Sequence, residues 1–198
     1  MKQIALFLLS ATFLFAEQGA PATEEKKEQK AISDELWLEC FTPPEAAQNW
    51  AGSIAAADQK FTMKMTGEFK GKEDGWVHHT IESEDGPMAG QTIHVWSKIT
   101  KTGLLTKESA ESEGKLSAPR PLILGKSWTN NDGETLVATK ADFKGPNGIV
   151  KDCILVTSES DLGGGKAVSK MWFAPKQGNI SFSMSSPVMT MEINKITE

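Results

Sequence analysis

Arginine is almost missing from this 198-residue chain: Arg120 is the single arginine among 21 basic residues, and the formal net charge is −5. Phosphate backbones are gripped by clustered Lys and Arg, so nucleic acid is excluded as a partner. Histidine and cysteine are scarce too, at three and two, and neither shows the spacing of a metal-ligand motif. Beyond residue 16 no apolar run is long enough for a membrane helix, which argues against an integral membrane protein. No G-x-S-x-G motif places a nucleophile. The Gly125-Lys126-Ser127 tripeptide resembles the end of a phosphate-binding loop, but Arg120 stands where its first glycine belongs. Paired carboxylates such as Glu82 and Glu84 read as solvated charges. These absences point away from an enzyme and from any resident cofactor.

What is present begins with an address. Lys2 and the apolar run Ile4 to Phe15, closing on Ala16, have the form of a signal peptide over residues 1–16. No cysteine follows closely, which disfavours a lipid anchor. Residues 17–33, EQGAPATEEKKEQKAIS, carry many charges and few apolar groups, so burial there cannot offset chain entropy. We read them as a disordered charged tether, leaving residues 34–198 as one domain of ordinary size. The expected location is the periplasm or beyond.

The domain reads as all-β after one short helix. Ser33 is a candidate N-cap, Asp34 and Glu35 suit a first turn, and Pro43-Pro44 stops the helix; Leu36, Trp37, Cys40 and Phe41 share its apolar face. The Ala-rich run from Glu45 to Ala57 has helical composition, but its place in the repeat below favours a strand around Trp50. From Lys60 onwards, Phe61, Met63, Met65 and Phe69 alternate with polar residues, the period of a half-buried strand. Later strands are separated by Pro146-Asn147-Gly148, Gly163-Gly164-Gly165 and Pro175-Lys176-Gln177-Gly178. The Asn-Gly pair suggests a type I′ hairpin turn.

These landmarks recur. Phe69-Lys70-Gly71 returns as Phe143-Lys144-Gly145, Trp96 as Trp172, Gly103 as Gly178 and Trp50 as Trp128, at displacements of 74, 76, 75 and 78 residues. The drift is what loop insertions supply. The expected fold is therefore an antiparallel two-fold repeated meander, a curved sheet or half-barrel, with copies over about 45–121 and 122–198 joined at Ser117-Ala118-Pro119-Arg120-Pro121.

The second copy also carries a resemblance. LILGKSW at 122–128, FKG at 143–145, VKDCI at 150–154 and WFAPKQG at 172–178 resemble, in that order, the TapB-like family of exported bacterial β domains. The first half joins this resemblance only through the repeat. Lys176-Gln177 departs from the Gly-Val usual there. The resemblance implies an antiparallel envelope domain with no assigned chemistry, and by fold-level analogy a half-barrel like those of lipoprotein carriers.

Four sets of side chains are candidates for function. If Thr80 pairs with His94, then His78 and His94 share a sheet face and His79 takes the other; a metal would want a third ligand such as Glu82, and solvated or core histidines are the plainer reading. Trp96 and Trp172 each lie opposite an apolar strand face, Trp96 beside His94, and together they suit a concave surface that stacks sugars or closes a lipid-type pocket, or else a buried core. Cys40 and Cys153 can form one disulfide tying the helix to a central strand, or stay as two buried thiols. Met184, Met189 and Met191 fill core or line an adaptable pocket. The expected function is an exported, non-catalytic binding module for an apolar or carbohydrate ligand, with Trp96, Trp172 and His94 as ligand-binding residues. The alternative is a structural or protein-interaction component of the envelope.

Overall fold

The computed structural model describes residues 30–56, 59–130, 133–161 and 165–196. The expected signal peptide, most of the expected tether and the glycines at 163 and 164 lie outside the described residues. Helix α1 spans Asp34–Phe41, and Ser33 caps it by accepting a hydrogen bond from the Leu36 amide at 3.2 Å. Twelve strands follow: β1 Gln48–Ala56, β2 Gln59–Glu73, β3 Trp76–Ser83, β4 Thr92–Ile99, β5 Gly103–Lys107, β6 Lys115–Pro119, β7 Ser127–Thr129, β8 Thr135–Gly145, β9 Gly148–Asp161, β10 Lys166–Ala174, β11 Gly178–Ser185 and β12 Met189–Ile196. Residues 48–56 are extended, as the repeat required and against the helical composition of that run.

All strands join one curved, nearly closed antiparallel sheet in the order β6-β5-β4-β3-β2-β1-β12-β11-β10-β9-β8-β7. The repeat landmarks fall on this order with regularity. Trp50 and Trp128 lie on β1 and β7, Phe69 and Phe143 on β2 and β8, Trp96 and Trp172 on β4 and β10, Gly103 and Gly178 on β5 and β11. Each member of a pair stands six places from its partner in the sheet. Two six-stranded meanders thus lie side by side in one direction, and the first strand of one pairs with the last strand of the other, Gly52 opposite Ile193. That junction is tight at Gly52, where a Cβ would fall 2.0 Å from the Glu192 carbonyl oxygen; only glycine fits.

The two matching hairpins turn differently. At β2–β3, Asp74 (φ 49°) and Gly75 (φ 79°) are both positive between the paired Glu73 and Trp76, as a type I′ turn requires. At β8–β9 the paired residues are Gly145 and Gly148, so the central positions are Pro146 and Asn147, and positive φ appears only at Gly148 (104°). The type I′ expectation fails there because proline fixes φ near −65°. Phe61, expected on the buried face, is 37% exposed at the start of β2, while Met63 behind it is 1% exposed.

Turns alternate between the two ends of the sheet, and α1 closes one of them. Trp37, Cys40 and Phe41 are buried against β-strand side chains, and the Phe41 ring sits 4.7 Å from that of Phe173 on β10. The Trp37 indole donates to the Pro119 carbonyl at 2.8 Å, and the Lys176 amide donates to the Glu39 carbonyl at 2.9 Å. Residues 30–32, which composition placed in the tether, are held too: Ala31 bridges Ile123, and the Ile32 amide donates to Leu122. At the other end Met88, on a 3₁₀ turn at Gly86–Met88, is buried with Met63, Met184 and Met191. Among the described residues no helix is long and apolar enough to cross a membrane.

Candidate functional site

The concave side of the sheet is not filled. Between α1 at one end and the β5–β6 and β7–β8 turns at the other lies a cavity of about 860 Å³, within the roughly 300–1,000 Å³ range of small-molecule sites. Its lining follows from strand alternation. His79 and Ile81 on β3, Val95 and Ser97 on β4, Leu104 and Thr106 on β5, Val156 and Ser158 on β9, and Met171 and Phe173 on β10 all point inward. Trp50 on β1 and Phe182 and Met184 on β11 complete the apolar wall, and Cys40 and Phe41 of α1 form the floor. The opposite end is polar, with Lys107, Glu108, Glu113, Lys115, Asn130 and Glu134 around it.

The residues singled out in the sequence stand elsewhere. Trp96 falls between the inward-facing Val95 and Ser97, and Trp172 between Met171 and Phe173, so both rings project from the convex side. Neither lines the cavity, nor does His94. The register expected for the β3–β4 hairpin holds, with Thr80 opposite His94 and His78 opposite Trp96. On that outer face His78 lies flat against Trp96, with ring centroids 4.2 Å apart and planes 5° from parallel, and His94 continues the stack. Trp172 instead packs on Phe143 at 5.2 Å, in a cluster with Cys153, Ala174 and Ile180.

The two outward histidines meet each other. His78 Nε2 and His94 Nδ1 are 3.1 Å apart, one donating to the other. That bond uses the lone pair of whichever ring accepts it. Among the described residues no group of three or more His, Cys, Asp or Glu is arranged to hold a metal ion. Burial, with His94 and His79 nearby, holds His78 below the ordinary histidine range. His79, on the cavity side, is also lowered by burial, and its Nε2 is enclosed without a hydrogen-bond partner. A proton added at Nε2 would find no acceptor, although the backbone bond to Pro44 favours the charged ring.

Cys40 and Cys153 are both buried as free thiols, one of the two states that the sequence left open. Desolvation pushes the Cys40 thiol up to about 12 and raises Cys153 as well. Both are held as the protonated, unreactive form, because the thiolate is the species that oxidises.

Sequence reading missed the residues that do line the cavity, for lack of knowing which face of each strand curves inward. One signal was available. On β9 the residues sharing a face run Ile154, Val156, Ser158, Ser160, a switch from aliphatic to hydroxyl side chains that a uniformly packed core does not call for.

No family model and no curated protein matches the chain. Among solved structures, a LolA-superfamily protein from Nitrosomonas europaea is similar at 12% identity with a TM-score of 0.38, covering 83% of this chain and 89% of that one. No family model supports the resemblance of the second-half segments to TapB-like domains.

Proposed function

We propose that this chain is an exported, non-catalytic binding module that takes an apolar ligand into the cavity between α1 and the curved sheet. The observation that carries this reading is a cavity of about 860 Å³ whose inner wall is made of Trp50, Ile81, Val95, Leu104, Met171, Phe173, Phe182 and Met184. Each ligand methylene moved from water into such a wall contributes about 0.8 kcal/mol. Methionine at Met171 and Met184 lets the wall adapt to irregular chains. The export part of the proposal rests on the apolar run of residues 4–15.

Carbohydrate stacking on Trp96 has less support. His78 already occupies one face of the indole, and Trp96 does not line the cavity. The reading as an interaction component makes no use of the cavity. Native mass spectrometry of the chain purified without refolding separates the readings. Retention of a lipid-like mass by the natural chain, and its loss when Val95→Trp fills the cavity, is expected. A retained glycan unaffected by Val95→Trp, or a stoichiometric protein partner with an empty cavity, would overturn the proposal.

A further inference from the structure

The cavity wall is not uniformly apolar, and its polar part is organised. Ser158 on β9 is the direct cross-strand partner of Ser169 on β10, and Ser160 follows two residues along the same face. All three line the cavity, as does Ser97 on β4. Ser158 is 94% buried and Ser97 91% buried by side-chain and backbone exposure, yet none of the four hydroxyls has a hydrogen-bond partner among the described residues. None is an enclosed orphan either; their oxygens open onto the cavity. Thr106 and Ser117, by contrast, satisfy each other at 2.6 Å.

An unpartnered buried hydroxyl costs free energy, so buried polar side chains are normally paired. Here the pairing capacity is directed at whatever fills the space. Each hydroxyl can donate once and accept twice, which matches groups of the same kind.

Charge at the polar end narrows the choice. Glu108, Glu113 and Glu134 face it against Lys107 and Lys115. Lys107 is turned away, its Nζ 4.7 Å from the Trp76 ring centre and bonded to the Ala110 carbonyl. Arg120, the chain's one guanidinium, is occupied by Asp34. No bidentate clamp for a phosphate or carboxylate is left. No aromatic cage for a quaternary ammonium is built there, since among the described residues no aromatic side chain lines the polar end of the cavity.

Resting on the proposal that the cavity binds an apolar chain, we infer that its ligand is an amphiphile with an uncharged, multiply hydroxylated headgroup, of glycerol or sugar type, held by Ser158, Ser169 and Ser160. The acyl or alkyl chain lies along the aliphatic and aromatic wall. The headgroup meets the serines.

The test compares dodecyl-chain amphiphiles below their micelle concentrations on the mature chain by titration calorimetry: monododecanoylglycerol, dodecanoate and dodecyltrimethylammonium, with N-phenyl-1-naphthylamine as a headgroup-free apolar probe. The glycerol ester is expected to bind at least tenfold tighter than either ion, and Ser158→Ala/Ser169→Ala to remove about tenfold of that affinity, the worth of one or two hydrogen bonds, while leaving probe uptake unchanged. Equal affinity for all three amphiphiles, tighter binding of an ion, or a serine variant that binds the ester as well as the natural chain would overturn the headgroup assignment alone. If neither probe nor amphiphile enters, the cavity reading fails and this inference falls with it.

Discussion

Arg120 holds both carboxylate oxygens of Asp34, through Nε at 3.1 Å and Nη2 at 3.0 Å, and its guanidinium lies 5.3 Å from the centre of the Trp37 ring. One side chain from the joint between the two meanders thus clamps the start of α1. The Arg120 hydrogen bond and charge hold Asp34 below its usual 3.8. A carboxylate with a depressed folded pKa adds stability above its unfolded pKa, and that increment is lost as pH falls through the folded value. Asp34→Asn is therefore expected to lower the melting temperature at pH 7 and to match the natural chain at strongly acidic pH. Melting curves at both values check this; a gap that persists in acid would rule out the pairing as its cause.

Trp37 anchors the same helix from inside. It is 1% exposed and donates to the Pro119 carbonyl. Trp37→Ala should cost about 3–5 kcal/mol, the range for removing a large buried aromatic, and Trp37→Phe less, since the ring packing survives. Urea unfolding gives both values. A Trp37→Ala loss below about 1 kcal/mol would mean that α1 is not docked as described.

Lys176 adopts φ 64° in the β10–β11 turn, a left-handed conformation costing an L-residue about 1–2 kcal/mol relative to glycine. Lys176→Gly should raise stability by roughly 1 kcal/mol on that basis. The ion pair it gives up, Nζ to Glu39 at 3.4 Å, is long and exposed on the lysine side, so it is worth little, and the backbone bond to Glu39 remains available. A stability loss of similar size by thermal melting would contradict the strained-turn assignment.

The repeat was legible because Trp, Phe-Lys-Gly and turn glycines recur at nearly constant displacement, and each pair occupies matching strands. Alternation put Trp96 opposite Val95 and Trp172 opposite Met171 correctly. It left open which face is concave, because inward and outward are set by closure of the whole sheet and not by any local residue. The β8–β9 turn type failed for a local reason, Pro146, that was present in the sequence. Burial of Cys40 and Cys153 as thiols depends on three-dimensional neighbours, and spacing carries no trace of it.

The inward histidine makes stability depend on pH. His79, like His78, is lowered by burial, so the folded state favours the neutral ring. A base whose folded pKa is depressed leaves stability intact above the unfolded value near 6.5, and stability falls as pH drops below it toward the folded pKa. The melting temperature should decline on this account between neutral pH and about pH 5, and His79→Leu should flatten that decline. An unchanged slope in His79→Leu would assign the effect to other groups.

Both cysteines should resist alkylation in the folded protein and react fully in denaturant, as buried protonated thiols do. Intact mass after alkylation in denaturant counts them. A denatured protein that takes up no label, with a mass lower by two hydrogens, would show the Cys40–Cys153 disulfide in place of the thiols.

Whether the ligand enters the concave side is decided by the fluorescence of N-phenyl-1-naphthylamine titrated into three proteins: the natural chain, Val95→Trp on the concave side, and Trp96→Ala on the convex side, adjacent in sequence and opposite in direction. Saturable uptake is expected for the natural chain and for Trp96→Ala, with loss of uptake in Val95→Trp and unchanged circular dichroism. Loss in Trp96→Ala with uptake retained in Val95→Trp would contradict the cavity reading, and would put the binding surface on the outside of the sheet.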